Sequence, residues 1–284
     1  MNDRAYRGGP VIYWMNRDQR SRDNWALLAA QEFAREHQVP LGVVFVFSRK
    51  ETIPWQELSY AVEGLREVEL ALRKKQIPFF LLEAGDRPGQ ILSFIRRERV
   101  GACMTDFSPL SKDAADAICL AKKASIPVHQ VDAHNIVPCW LASDHQEADI
   151  RTFRKKIEKF LPEFLTKIPG LEIHAKQWVS RREPPDWKTF DRRLRVDRSA
   201  KPSERAHPGE RAAMVVLRLL LKGGKKGDGS LRPYLQHGQL ATQRVGIEAK
   251  FFERSAARGK ALLDAAAVRE SFEDNVRFYG QKCR

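Results

Sequence analysis

Val11-Ile-Tyr-Trp14, then Met15-Asn-Arg-Asp-Gln-Arg-Ser-Arg22, then Asp23-Asn-Trp-Ala-Leu-Leu28 is the stretch on which the fold turns. A short run of β-branched and aromatic residues gives way to a polar turn, and the turn to a helical pattern. That pattern opens at Asp23 with a capping residue and repeats Trp25, Leu28, Ala29 and Phe33 on one face as far as Arg35. Four further runs share the character of the first: Leu41–Phe47, Pro78–Leu82, Gly101–Thr105 and Pro127–Val131. Each is bounded by turn or polar residues and reads as a strand buried on both faces. Between them lie helical patterns: the stripe Ala61, Leu65, Val68, Leu72, closed by the basic Arg73-Lys-Lys75, and the stretches Gln90–Arg97 and Ser111–Lys123. Strand alternating with helix predicts a parallel sheet with right-handed crossovers, an α/β doubly wound domain over the first ~150 residues.

Beyond it, Glu147–Phe164 reads as one helix. Gln177–Pro208 is crowded with Arg, Lys, Pro and Asp and lacks apolar periodicity, which predicts a linker in which Trp178 and Trp187 dock elsewhere. A helix over Glu210–Lys222 is broken by Gly223-Gly-Lys-Lys-Gly-Asp-Gly229, and helical patterns return around Leu240–Phe252 and Leu262–Phe278. Three helices at most hardly build a core. The faces of Leu217/Leu220 and Phe251/Phe252 are therefore expected to stay exposed and favour self-association, with fast hydrogen exchange after residue ~205.

Fifty Lys and Arg against thirty-six Asp and Glu leave a net charge of +14, which suits a polyanionic partner such as nucleic acid or simply a solvated surface. The longest apolar run, Leu41–Phe47, is far short of the ~20 residues that span a bilayer, and Met1–Pro10 lacks the apolar core of a signal peptide. Cys103, Cys119, Cys139 and Cys283 form no CxxC motif, so a reduced, cytoplasmic setting is expected, with Cys103 as a buried small hydrophobe.

In open parallel sheets ligands sit beyond the carboxyl ends of the strands. Here the first of those ends carries Trp14 to Arg20, which serves either an anionic or planar ligand or only the bracing of the turn. Asp132, His134 and Asn135 read as an acid–base cluster or as a satisfied structural network. His129 with His134 has no recognised metal spacing. GxxxxGK[ST] and GxGxxG are both absent, so neither a phosphate loop nor an ordinary dinucleotide site is indicated.

Three segments decide the kinship: Tyr13-Trp-Met-Asn-Arg-Asp-Gln-Arg20 with Asp23-Asn-Trp-Ala-Leu-Leu28, Thr105-Asp-Phe-Ser-Pro-Leu110, and Val131-Asp-Ala-His-Asn-Ile-Val-Pro-Cys-Trp140. In this order and separation they resemble class II cyclobutane pyrimidine dimer photolyases, of the photolyase/cryptochrome family. Arg151-Thr-Phe-Arg-Lys-Lys-Ile157 and Pro162-Glu-Phe-Leu165 continue the likeness. It resumes at Pro208-Gly-Glu-Arg-Ala212, at Pro233-Tyr-Leu with Gly238-Gln239 and Thr242-Gln-Arg-Val245, and at Asp274-Asn275. The resemblance implies a Rossmann-like antenna domain over residues 1–172, a basic linker over 173–208, and over 209–284 the first part of an all-α FAD-binding domain, incomplete against the family. It implies light-driven DNA repair, in which excited reduced FAD lends an electron to a cyclobutane dimer flipped out of the duplex.

By the same resemblance, Ser230, Leu231, Arg232, Gln239 and Asn275 are FAD-binding positions. Arg232 stands where the family has a small hydroxyl. Ser271 aligns without gaps on a dimer-contacting Glu, and Glu270 takes that place after a one-residue slip. Trp14, Asn16, Arg17 and Asp106 are candidates for an antenna pocket holding a pigment such as a deazaflavin. No residue is assigned to catalysis or to a metal. The alternative is a non-catalytic pigment- or nucleic-acid-binding module.

Overall fold

The computed structural model describes residues 1–179, 184–189, 192, 194–199, 207–223, 230–251 and 256–280. A five-stranded parallel sheet is built from β1 (Val11–Met15), β2 (Leu41–Ser48), β4 (Phe79–Ala84), β5 (Ala102–Asp106) and β6 (Val128–Val131), in the order β4-β2-β1-β5-β6. A short separate ladder pairs β3 (Thr52–Pro54) with β7 (Arg195–Asp197). Helices α1 (Trp25–Glu36), α2 (Trp55–Lys74), α3 (Arg87–Glu98) and α4 (Ser111–Lys123) supply the crossovers. The chain steps outward from β1 in both directions, so the sheet is doubly wound as its sequence predicts.

Alternation along the strands assigns the two faces. Val11, Tyr13 and Met15 join Leu41, Val43 and Phe45 under α1 and α2, against Leu27, Ala30, Leu65 and Val68. Ile12 and Trp14 point the other way, with Val44 and Val46, onto Ile91 and Phe94 of α3 and Leu120 of α4. Cys103 lies in this second layer, where burial lifts its thiol to about 12. The α1 cap is Asn24, not Asp23: Asn24 Oδ1 accepts from Leu27 N, and Asp23 adopts a left-handed φ of 53°. Short polar side chains tolerate that region, which frees the next residue to cap.

The segment expected to be a linker is partly docked. Trp178 packs edge-on against Phe80, and Trp187 stacks on Phe79 while its Nε1 donates to Glu69. β7 lies in the same segment.

The helical part departs most from expectation. α5 (Cys139–Ala142) and α6 (Ile150–Phe164) lead to α7 (Glu210–Leu221), α8 (Arg232–Gln236), α9 (Thr242–Phe251), α10 (Ala256–Asp264) and α11 (Glu270–Gly280). A π-helical turn, Ala265–Arg269, joins the last two. Rather than three helices without a core, these form a packed cluster around Leu217, Leu221, Tyr234, Leu235 and Val245. The reason is Tyr60, on α2, which joins that cluster and lends it a wall of the α/β domain. A second cluster joins Phe153 and Ile157 of α6 to Ala267 and Val268. Leu217 is therefore fully buried and Leu220 half-buried, contrary to the expected exposed face, whereas Phe251 is 78 % exposed. Phe252 and residues 224–229 lie outside the described residues. No helix among the described residues is long and apolar enough to cross a membrane.

Candidate functional site

The switch in strand order falls between β1 and β5, and the polar residues gather there. Asp106, the last residue of β5, reaches beneath the turn that follows β1. Its Oδ1 accepts from Tyr13 Oη at 2.5 Å, and its Oδ2 accepts from the backbone N–H groups of Asn16 at 2.8 Å and Asp18 at 3.2 Å. The Asn16 amide donates to Thr105 Oγ1 at 3.2 Å. Asn24 adds donations to Tyr13 Oη and to the carbonyls of Asp18 and Arg20. The turn is thus stitched at both ends to the sheet.

Outward from that turn runs a second set of bonds that fastens the helical part. Arg17 holds Asp274 of α11 with two parallel bonds of 2.6 and 2.9 Å. The Asn135 amide donates to Asp274 at 3.0 Å and to Asp132 at 2.9 Å. Arg20 donates to Asp18 at 2.5 Å, to Ala133 O at 2.5 Å and to Gly238 O at 3.0 Å. Glu210, first residue of α7, accepts from Ser21 N and Oγ and from Arg22 N. Gly238 has φ 62°, and a Cβ there would stand 2.1 Å from Arg17 O, so only glycine permits this approach. Gly238→Ala is expected to cost about 1–3 kcal/mol, through overpacking and a strained φ, read as a lower urea midpoint.

Asp132 does not orient the ring of His134. Its Oδ1 accepts from His134 N and Asn135 N and its Oδ2 from Cys139 N, which brace its own loop. Of the two sequence readings, the geometry is that of the structural network. The His134 ring is buried between carboxylates: Nδ1 stands 3.5 Å from Asp18 and Nε2 3.9 Å from Glu270, without hydrogen-bond geometry.

These charges set a pH profile. Burial, with the Asp18 charge, pushes the Asp106 carboxyl up to about 7, and burial takes Asp132 to about 6. Burial pushes Asp18 and Asp274 up as well, but Arg20 and Arg17 respectively outweigh it and leave both low. Burial and Arg17 lower His134, while Asp18 and Glu270 more than restore it, so its pKa ends raised. A carboxyl raised on folding binds its proton more tightly when folded, so its contribution is present below the unfolded value near ~4 and is lost as pH climbs through the folded value. For His134 the contribution is present below ~6.5 and lost above its folded value. Asp18 and Asp274 act only at the acid end, where stability falls as pH drops through their low values. Stability measured by urea unfolding is therefore expected to decline from about pH 5.5 to pH 8. Asp106→Asn should flatten that decline; an increase toward pH 8 in the parent would contradict it.

The residues singled out in the sequence fall into distinct settings. Trp14 is buried in the sheet's second layer, while Asn16, Arg17 and Asp106 make the contacts just described, all with protein partners. Ser230 and Arg232 are exposed, and Ser230 Oγ accepts from Arg232 N; Leu231 is buried in the helical core. Gln239 is buried, accepting from Gly209 N and donating to Tyr60 O. Asn275 is buried, accepting from Glu147 N and donating to His145 O. Ser271 is fully buried with its hydroxyl unpartnered, and Glu270 is half-buried beside His134. Arg20, Glu210 and Asp274 were not singled out as site residues. Their signal was present, since all three lie within the quoted motifs, but a motif does not say which members bind one another.

A family model described as DNA photolyase matches residues 11–172. The deoxyribodipyrimidine photo-lyase of Arabidopsis thaliana is 35% identical over 95% of this chain and 59% of its own length. That of Potorous tridactylus is 36% identical over 95% of this chain and 54% of its own. The chain thus spans somewhat over half the length of these relatives. A cryptochrome of Synechocystis sp. PCC6803 superposes with a TM-score of 0.75 at 15% identity, over 98% of this chain and 62% of that one, and shares its fold. The doubly wound sheet, with the motif residues of three separate loops meeting at its carboxyl edge, is thus the arrangement of a known lineage: the chain belongs to the DNA photolyase family.

Proposed function

We propose that this protein serves light-driven repair of cyclobutane pyrimidine dimers, in the manner of class II photolyases, with FAD as cofactor and dimer-containing DNA as substrate. The observation that carries the reading is the identity of 35–36% with two deoxyribodipyrimidine photo-lyases along nearly the whole chain. Ser230 and Arg232 are the described residues that support a site for one end of FAD. Both are exposed, and a hydroxyl and a guanidinium are both groups that suit a pyrophosphate. Gln239 and Asn275 have both ends of their amides bound to backbone, so they shape the site rather than touch the cofactor. When bound and reduced, FAD supplies a photoexcited electron. Glu270, half-buried while Ser271 is enclosed, is the member of the pair able to meet a flipped base. The net charge of +14 favours the DNA backbone.

Purified protein mixed with FAD is expected to carry a flavin absorbance band through gel filtration. It should then restore dimer-containing oligonucleotides under blue light. Loss of the band on the column would sink stand-alone activity.

A second reading has its own support. The amides of Gln239 and Asn275 already bond the protein backbone at both ends. On that reading the protein is a non-catalytic pigment- or nucleic-acid-binding module. Equal, salt-sensitive affinity for damaged and undamaged DNA without repair would favour it.

A further inference from the structure

Between α1, the end of β6 and the end of α6 lies a cleft of about 870 Å³, on the flank of the sheet and built from residues other than those assigned to FAD, dimer or antenna. That volume falls in the range of small-molecule sites. Its walls are aromatic and apolar: Trp25, Leu28, Ile136, Trp140 and Phe164. The lining is held firmly. Trp25 Nε1 donates to Gln243 Oε1 at 2.6 Å, and Gln243 Nε2 donates to the carbonyls of Phe164 and Thr166. Gln31 on α1 and the backbone of Glu172 bond reciprocally at 2.9 Å. Fixed rotamers of this kind are what a specific site requires.

Two observations say what such a site would take. The first is Asn135, 2 % exposed, which lines the cleft and leaves its Oδ1 without a partner. Its orientation is not free. The other end of the amide donates to two carboxylates, Asp132 and Asp274, which accept only from N–H groups, so the unpartnered atom is the carbonyl oxygen. A buried acceptor of this kind calls for an N–H or O–H donor. The second is charge. In a chain of net +14, the cleft is rimmed by Glu32, Glu36, Glu163 and Glu172, while Arg35, the one lining cation among the described residues, is paired with Glu172 at 2.5 Å. An acidic mouth above tryptophan faces repels phosphates and carboxylates and attracts cations.

We propose that this cleft binds a planar aromatic ligand that carries N–H or O–H donors and a zero or positive charge, seated against Trp25 and Trp140 with a donor to Asn135 Oδ1. Because Asn135 also bonds Asp274, an occupant touches the fastening of α11 directly. The inference does not depend on the photolyase reading.

Proflavine, a planar cation with amino donors, is the probe, titrated into the DNA-free full chain; fluorescein, planar but anionic, is the contrast. Proflavine is expected to quench tryptophan fluorescence saturably at one equivalent, and fluorescein to bind at least tenfold more weakly. Ala29→Trp, which fills the cleft from α1, should abolish the proflavine response. Should that variant fail to fold, the exposed pair Glu32→Lys and Glu163→Lys should weaken proflavine at least tenfold while leaving the thermal melt near that of the parent. Multiple weak equivalents, equal affinity for fluorescein, or undiminished binding in either variant would overturn the proposal.

Discussion

Alanine in place of Asp274 is expected to destabilise the protein by about 3–5 kcal/mol, because removing one member of a buried ion pair leaves the other charge enclosed without compensation. Asp274 is buried and receives both bonds of Arg17, so the variant strands a guanidinium that is itself largely enclosed. Asn135 loses an acceptor at the same stroke. The loss should appear as a lower urea midpoint and as faster hydrogen exchange across α11. Replacing both partners, Arg17→Met with Asp274→Leu, should cost less than Asp274→Ala alone, since apolar groups of similar size carry no desolvation penalty. A loss under ~1 kcal/mol for the single change would mean that water reaches the pair.

Leu217→Ala should cost about 2–5 kcal/mol, the range for truncating a large aliphatic side chain in a packed interior. Leu217 is fully buried among residues of α2, α7, α8 and α9. Val215 and Leu219 on the opposite face are 57 % and 43 % exposed, and alanine at either should change stability by no more than about 0.5 kcal/mol. Equal, small effects at all three positions would mean that α7 is not anchored. A large effect confined to Leu217 would mark the helical part as a structured body, with exchange protection well past residue ~205.

The sheet was legible because strands buried on both faces are written as continuous apolar runs, and the observed strands start and end within two residues of Val11–Trp14, Leu41–Phe47, Pro78–Leu82, Gly101–Thr105 and Pro127–Val131. β3 and β7 were not: Thr52–Pro54 and Arg195–Asp197 are three residues each, too short for any period to register. α8 hides for the same reason, five residues long with a proline at its start. The packing of α7 escapes the sequence because its partner Tyr60 lies on α2, and no local pattern announces a neighbour so distant in sequence. The site shows the same divide. Residue types at the strand ends marked the Trp14–Arg20 turn as chemically dense, yet the pairing of Arg17 with Asp274, 257 positions apart, is a tertiary fact. The sequence marks Arg17 and Asp106 as site candidates, and folding adds what no motif states, their bonds to Asp274 and Tyr13.

The wide turn at Ala265–Arg269 acts as a phase adjuster for everything after it. A π turn holds one residue more than an α-helical turn, so the bulge takes up an extra residue that a regular helix would convert into a rotation of α11 by about 100° about its axis. Closing the bulge at unchanged chain length would swing Asp274 away from Arg17 although no residue of that bond had been altered, whereas excising one alanine together with the bulge would leave α11 aimed nearly as before. Angular placement of α11, more than its composition, is what the wide turn preserves.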